Sequence, residues 1–288
     1  MRDSSLPRRL GVLFAGVLAC SVFAASRPAP ALFAPCDEFV RRLPNVSAVL
    51  CARAALVSSG AKSRRGRPLY VRDVRPDDAR LRVLVVGAIH GDELSSASLA
   101  LHWILLAEQA PVQTHWRFVP ALNPDGLLNQ PARRVNAAGV DLNRNFPTPH
   151  WERDAAIYWE KRTRKDPRRW PGPHALSEPE TRFLHDEMRR FDPHLIVSIH
   201  APYGVLDFDG PSVPPRKLGR LQLNQVGIFP GSLGNYGGVH KGVPVVTIEL
   251  PNAIRTPLDS EIRQMWLDLL RWKDVRLPVK PMRSPRAP

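Results

Sequence analysis

His90 and Glu93 stand three residues apart in the stretch LRVLVVGAIHGDE, residues 81–93. An imidazole and a carboxylate at that spacing can close on one zinc ion if the chain turns tightly between them, and Gly91 allows such a turn. Alone the pair says little, because a short His–Glu pattern on a loop is usually solvated. Two later groups change its weight: His200 follows the apolar run at residues 195–199, and Glu249 follows the run at 245–248. Two imidazoles and one carboxylate, with a fourth position left for water, make a catalytic zinc site. A structural site is closed and usually richer in cysteine. The seven other histidines, such as His194 and His240, have no such placement and read as structural.

Each of these groups follows an apolar run that reads as a strand. Leu81 and residues 83–86 form a β-branched run with a small-residue exit, the pattern of a strand buried on both faces. Residues 94–110 then carry Leu94, Ala97, Leu101, Ile104 and Leu105 at helical spacing, so the unit is strand, site loop, helix. His102 and Trp103 within it read as surface and core. Residues 116–122 predict a second strand running into Asn123-Pro124-Asp125-Gly126, a turn by composition. The polar stretch QPARRVNAAGVDLNRNFP at 130–147 is a long loop, and long ordered loops are usually functional. Ser177-Glu178-Pro179-Glu180 predicts a capping box for a helix running to about Phe191, and a last helix is expected from about Ser260 to Lys273. Strands alternating with helices predict an open α/β sheet. In such sheets the ligand crevice lies beyond the carboxyl ends of the strands, so groups distant in sequence converge there.

The 288 residues, 43% of them apolar and 24% charged, suffice for one domain with a sizeable core. The net charge of +14 suits an anionic partner, but arginines scatter from Arg8 to Arg286 without a recognition helix or an interleaved aromatic platform, which argues against nucleic acid. Arg8-Arg9 precede an apolar, small-sided run at residues 10–25 that is too short for a membrane span and reads as a secretory signal peptide cleaved after Ala24 or Ala25. The mature protein is therefore expected to be periplasmic or secreted, without a stable membrane span. Cys20 after Val17-Leu18-Ala19 loosely resembles a lipoprotein box, although Leu18 is large for its place. In an oxidising compartment Cys36 and Cys51 are expected to pair. The chain divides into a signal peptide (1–25), a linker and N-terminal cap segment (26–67), a catalytic domain (68–275) and a flexible tail (276–288). Residues 58–67 read as a polar connection. Residues 151–173, with Trp151, Trp159 and Trp170 among many cations, read either as a surface tracking an anionic polymer or as a solvated basic loop with tryptophans tucked beneath.

Five motifs occur in order: His90-Gly91-Asp92-Glu93, Asn123-Pro124-Asp125-Gly126, Gly139-Val140-Asp141-Leu142-Asn143-Arg144-Asn145-Phe146, Ser198-Ile199-His200 and Thr247-Ile248-Glu249-Leu250. In these the chain resembles the zinc metallocarboxypeptidase family. Within it the likeness is to the short bacterial branch of murein peptide amidases, which cut the γ-D-glutamyl–diaminopimelate bond of cell-wall peptides. The resemblance implies a mixed open sheet with helices on both faces, and Zn2+ held by His90, Glu93 and His200. It implies Glu249 as general base, Asn143 and Arg144 as the clamp for the substrate's free carboxylate, and an upstream arginine that polarises the scissile carbonyl. Arg133 and Arg134 both qualify, and Arg134 is preferred for its place before Asn136. The family's mobile tyrosine has no clear counterpart; residues 227–235 contain none, and Tyr236 is the nearest.

Asp207 and Asp209 follow His200 on alternate positions. If that stretch is extended, both face one pocket and suit the distal ammonium of diaminopimelate; otherwise they belong to a solvated turn. The expected function is a zinc-dependent amidase or carboxypeptidase acting on murein peptides. The alternatives are a deacylase of N-acyl amino acids, against which the Asn123-Pro124-Asp125-Gly126 turn and secretion argue, and a zinc-containing wall-binding module. A binding module has no need of Glu249 beside the metal.

Overall fold

The computed structural model describes Met1 and residues 35–109 and 113–277. Apart from Met1, the run at 1–25 read as a signal peptide, with Cys20 within it, nearly all of the Pro/Ala linker and the tail beyond Leu277 lie outside the described residues. Two short helices open the described chain, α1 (Cys36–Arg42) and α2 (Ala48–Ala54). They are joined by the expected Cys36–Cys51 disulfide. Strands β1 (Val57–Lys62), β2 (Pro68–Val74) and β3 (Leu81–Val86) follow, then α3 (Leu94–Gln109), β4 (Thr114–Val119), α4 (Pro124–Leu127), α5 (Trp151–Ile157) and α6 (Pro179–Phe191). The second half holds β5 (Leu195–His200), β6 (Val205–Asp209), the two-stranded ribbon β7 (Lys217–Leu218) with β8 (Leu221–Gln222), β9 (Val245–Glu249) and α7 (Asp259–Arg276).

Seven strands form one mixed sheet in the order β1-β2-β4-β3-β5-β9-β6. The inner four, β4, β3, β5 and β9, run parallel, while β1, β2 and β6 join antiparallel. Successive side chains on a strand face opposite sides, and the apolar runs of the inner strands therefore supply two cores. Val83, Val85, Val197, Ile199, Val246 and Ile248 pack under α3 and α7 with Trp103, Trp116 and Trp266. Leu84, Val86, Ile196 and Val245 pack under α6 with Phe183, Leu184 and Met188. The N-terminal cap packs onto the first core through Phe39, Leu43 and Cys51. Arg42 ties it down further by donating to the carbonyls of Leu127 and Asn129, both at 2.8 Å. His102 is half-buried with Nε2 2.8 Å from the Asn45 carbonyl, and Trp103 is core. Among the described residues no helix is long and apolar enough to cross a membrane.

Three local expectations are corrected. Residues 57–62, read mostly as connection, pair with β2 as an edge strand. An edge strand needs only backbone pairing on one side, so its polar sequence SSGAK carries no alternating pattern. Asn123-Pro124-Asp125-Gly126 is a turn of helix, capped by the Asn123 side chain accepting from the Gly126 N–H at 2.9 Å. The predicted capping box before α6 does not form. Glu178 holds the N-cap position, and the Ser177 hydroxyl donates to the Glu178 carboxylate at 2.9 Å instead of capping the helix.

Candidate active site

Parallel β3, β5 and β9 bring their carboxyl ends together. In register, Val86 lies beside Ser198 and His200 beside Glu249, so the groups that end these strands share one edge of the sheet. The loop after β3 carries His90 and Glu93. Its Gly91 does not use left-handed backbone. A Cβ there would fall 2.3 Å from the Gly126 carbonyl carbon and 2.4 Å from Leu127 N, so glycine is required by close packing against α4 rather than by a special turn.

His90 Nδ1 stands 2.7 Å from Glu93 Oε1, His200 Nδ1 stands 3.0 Å from Glu93 Oε2, and the two Nδ1 atoms are 3.2 Å apart. All three residues are buried. Donors bound tetrahedrally at zinc distances lie about 3.3 Å from one another, so this donor set fits a zinc ion. The far ring nitrogens are held from behind: His90 Nε2 by Asp141 Oδ1 at 3.2 Å, and His200 Nε2 by Ser198 Oγ at 2.9 Å. Both partners can accept a proton from the far nitrogen, the tautomer in which each Nδ1 lone pair is available to a metal. Asp141 also accepts from Arg134 Nε at 3.1 Å and Nη2 at 3.0 Å, while Arg134 Nη1 reaches to 3.1 Å from His90 Nδ1. Burial alone would raise the Asp141 carboxyl, but Arg134 and His90 hold it well below the usual carboxylate range.

All nine residues singled out from the sequence line one cleft of about 430 Å³: His90, Glu93, Arg134, Asn143, Arg144, His200, Asp207, Asp209 and Glu249. Of the two candidate arginines, Arg134 lines it and Arg133 does not. Among the described residues, four buried side-chain polar atoms make no hydrogen bond, and two of them, Arg144 Nε and Glu249 Oε2, belong to residues lining this cleft. Unpaired buried groups cost stability, so a pair of them in one cleft marks chemistry to be completed by a ligand. Burial raises the Glu249 carboxyl above its ordinary value, which His200 and His90 oppose and Glu93 reinforces. Arg144 stacks over Phe229 at 4.5 Å and Tyr158 at 5.6 Å, donates through Nη1 to the Asn143 carbonyl at 2.6 Å, and is pulled below its usual value chiefly by burial. Asn143 Oδ1 accepts from Leu233 N at 2.8 Å.

Asp207 and Asp209 sit on extended β6 and share the cleft-facing side of that strand. Room for Asp209 is made by two glycines: a Cβ at Gly234 would lie 2.0 Å from Asp209 Oδ2, and one at Gly238 would lie 2.4 Å from its Cβ. Burial, with Asp207 adding, pushes the Asp209 carboxyl up to about 6. Tyr236 does not line the cleft; it is buried against Phe146 and His185. The exposed tyrosine at the cleft is Tyr203. Sequence reading did not single out Asp92, Arg168 and Arg169, which also line it, nor Asp141 as the support of His90. Asp141 lay within a recognised motif, but only the fold puts it behind a histidine 51 residues away.

A His–Glu–His donor set at the carboxyl ends of parallel strands, with a buried carboxylate beside it, defines a metal-dependent hydrolase. The chain belongs to the zinc carboxypeptidase family, whose model matches residues 48–208. Its cofactor is zinc. Glu249 lies beyond the matched residues and reaches the site through the register of β9 with β5. Murein peptide amidase A of Escherichia coli (strain K12) is 30% identical over 204 residues, covering 68% of this chain and 82% of that protein. The enzyme of the same name from Vibrio campbellii is 32% identical over 204 residues, covering 67% and 79%. Among solved structures, murein-tripeptide amidase MpaA from E. coli O157 aligns with a TM-score of 0.53 at 26% identity, covering 74% of this chain and 90% of that one. Carboxypeptidase A from Helicoverpa armigera shares the fold, with a TM-score of 0.59 at 17% identity over 77% of this chain and 70% of that one.

Proposed function

We propose that the protein is an exported zinc amidase that cuts murein peptides at the γ-D-glutamyl–diaminopimelate bond. The observation that carries this reading is the pairing of charges in the cleft. Arg144, a buried cation with a free Nε, lies in the same cleft as Asp207 and Asp209, two carboxylates that form no ion pair with a cation among the described residues. Diaminopimelate as a leaving group presents a carboxylate beside the scissile amide and a distal zwitterionic centre, and the cleft offers a partner for the carboxylate and for the distal ammonium. The murein peptide amidases named above support the same substrate class. Periplasmic or secreted location rests on the apolar, small-sided run that follows Arg8-Arg9.

Zinc held by His90, Glu93 and His200 would supply Lewis acidity at the scissile carbonyl and acidify the attacking water. Glu249, with a raised pKa and an unpaired oxygen, takes the proton of that water as its oxygen bonds to the carbonyl carbon. It then delivers the proton to the departing amine nitrogen as the C–N bond breaks. Arg134, fixed by Asp141 with one nitrogen turned to His90, donates to the carbonyl oxygen as negative charge builds there. Asn143 and Arg144 hold the free carboxylate, the guanidinium through parallel hydrogen bonds.

The test compares γ-D-glutamyl peptides ending in diaminopimelate, lysine or leucine. Diaminopimelate is expected to give the highest kcat/KM and leucine the lowest. Equal values for all three would replace this reading with a general carboxypeptidase.

A further inference from the structure

The basic segment before α6 takes no part in the chemistry at the scissile bond, yet it delivers Arg168 and Arg169 to the cleft wall. Its attachment to the site is firm. Asp166 accepts from Arg168 N at 2.9 Å, and Trp159 Nε1 donates to the Asp166 carbonyl at 2.8 Å. The Trp170 carbonyl accepts from Asp141 N at 2.8 Å, and Asn145 Nδ2 donates to the Pro171 carbonyl at 2.8 Å. The two arginines are therefore carried on a turn bonded to Asp141, the residue that also holds His90 and Arg134. Arg168 Nη2 reaches Asp92 Oδ2 at 2.7 Å, which places it against the loop bearing His90 and Glu93.

Both guanidiniums keep donors to offer. Each carries five N–H groups. Arg168, with a side chain 63% exposed, uses Nη2 on Asp92, and Arg169 pairs through Nε with Asp166 at 3.5 Å. The contact with Asp92 sets the side on which Arg168 stands, and Arg169 follows it on the same turn. The β3 loop with Asp92 lies on one flank of the β5–β9 pair, and β6 with Asp207 and Asp209 on the other. Asn143 belongs to the β6 flank, because its Oδ1 binds Leu233 N beside the Gly234 that packs on Asp209. One cleft thus has a flank for the leaving amino acid and an opposite, cationic flank for the acyl part.

We infer that Arg168 and Arg169 form a subsite for an anionic group on the acyl side of the scissile bond. Resting on the reading above, that group is the α-carboxylate of D-glutamate, which a γ-linkage leaves free. Guanidinium–carboxylate pairing makes the subsite selective for the acid over its amide.

The experiment measures kcat/KM on the murein tripeptide with a free α-carboxylate and on the same peptide with that group as the carboxamide. The expected result is a preference for the carboxylate of about tenfold, chiefly in KM, that shrinks with added salt. It falls to near unity in Arg168→Gln/Arg169→Gln and reverses in Arg169→Glu. Zinc content, measured in each variant, separates lost recognition from a disturbed ligand loop, since Arg168 touches Asp92 whereas Arg169 does not. Equal rates on acid and amide in the unmutated enzyme, or a preference that survives in the double variant with zinc retained, would overturn the subsite. The same acid–amide comparison on α-linked Glu and Gln peptides separates the two claims. If only α-linked peptides are cut, the γ-linkage reading fails. A Glu preference lost in the double variant would then still support the arginines, and none would refute them.

Discussion

His90 and Asp141, 51 residues apart in sequence, meet in the core with Nε2 3.2 Å from Oδ1. A zinc ion held at Nδ1 would leave the ring proton on Nε2, where Asp141 accepts it and so keeps the imidazole in the metal-binding tautomer. The same carboxylate holds Arg134 through two nitrogens, so one buried anion orients both His90 and Arg134.

Asp141→Asn is therefore expected to weaken zinc affinity by about 10–100-fold, since the amide no longer fixes the tautomer or the guanidinium. Chelator competition measures it. Unchanged affinity would show that His90 is oriented by its packing alone.

Glu249→Gln keeps the shape of the side chain and removes its basicity. Turnover is expected to fall by a factor on the order of a hundred or more with zinc still bound. Undiminished turnover would remove Glu249 from proton transfer.

Asp209 gives a pH signature. Its folded carboxyl is pushed up to about 6 by burial and by Asp207, against about 3.9 in an unfolded chain. The folded state therefore binds more protons between those values, and the stability this lends is present below about pH 4 and lost as pH rises through 6. Asp209→Asn should leave Tm nearly unchanged at pH 4 and raise it at pH 7.5. Binding of a distal ammonium needs the charged form, so KM for a diaminopimelate peptide should rise as pH falls through about 6, while KM for a leucine peptide does not follow it. Parallel KM profiles for the two peptides would separate Asp209 from recognition.

The Cys36–Cys51 bridge closes a loop with a sequence separation of 15. Replacing both cysteines by serine is expected to lower stability by about 3 kcal/mol, read by urea unfolding. No change would mean that the cap's contacts with Leu127 and Asn129 already restrain it.

What the sequence made legible follows from burial. β3, β5 and β9 are central parallel strands whose apolar runs stand out, and the chemistry-bearing residues end them, so the donor set and Glu249 could be read in order. Edge strand β1 left no such trace because it is exposed. Motif resemblance pointed to Asn143, Arg144 and Arg134, but the support of His90 by Asp141 needs the long loop folded over the ligand loop. The two glycines that admit Asp209 and the turn that swings Arg168 to Asp92 are likewise contacts between distant segments, with no periodicity to announce them.

Zinc-dependent cleavage of the γ-D-glutamyl–diaminopimelate bond is tested most directly by mass spectrometry of L-Ala-γ-D-Glu-meso-diaminopimelate incubated with zinc-loaded protein, with chelator-stripped protein, and with stripped protein given zinc again. L-Ala-D-Glu and free diaminopimelate are expected in the first and third samples and intact tripeptide in the second. An intact tripeptide in all three, or cleavage that ignores the chelator, would contradict zinc-dependent cleavage at that bond.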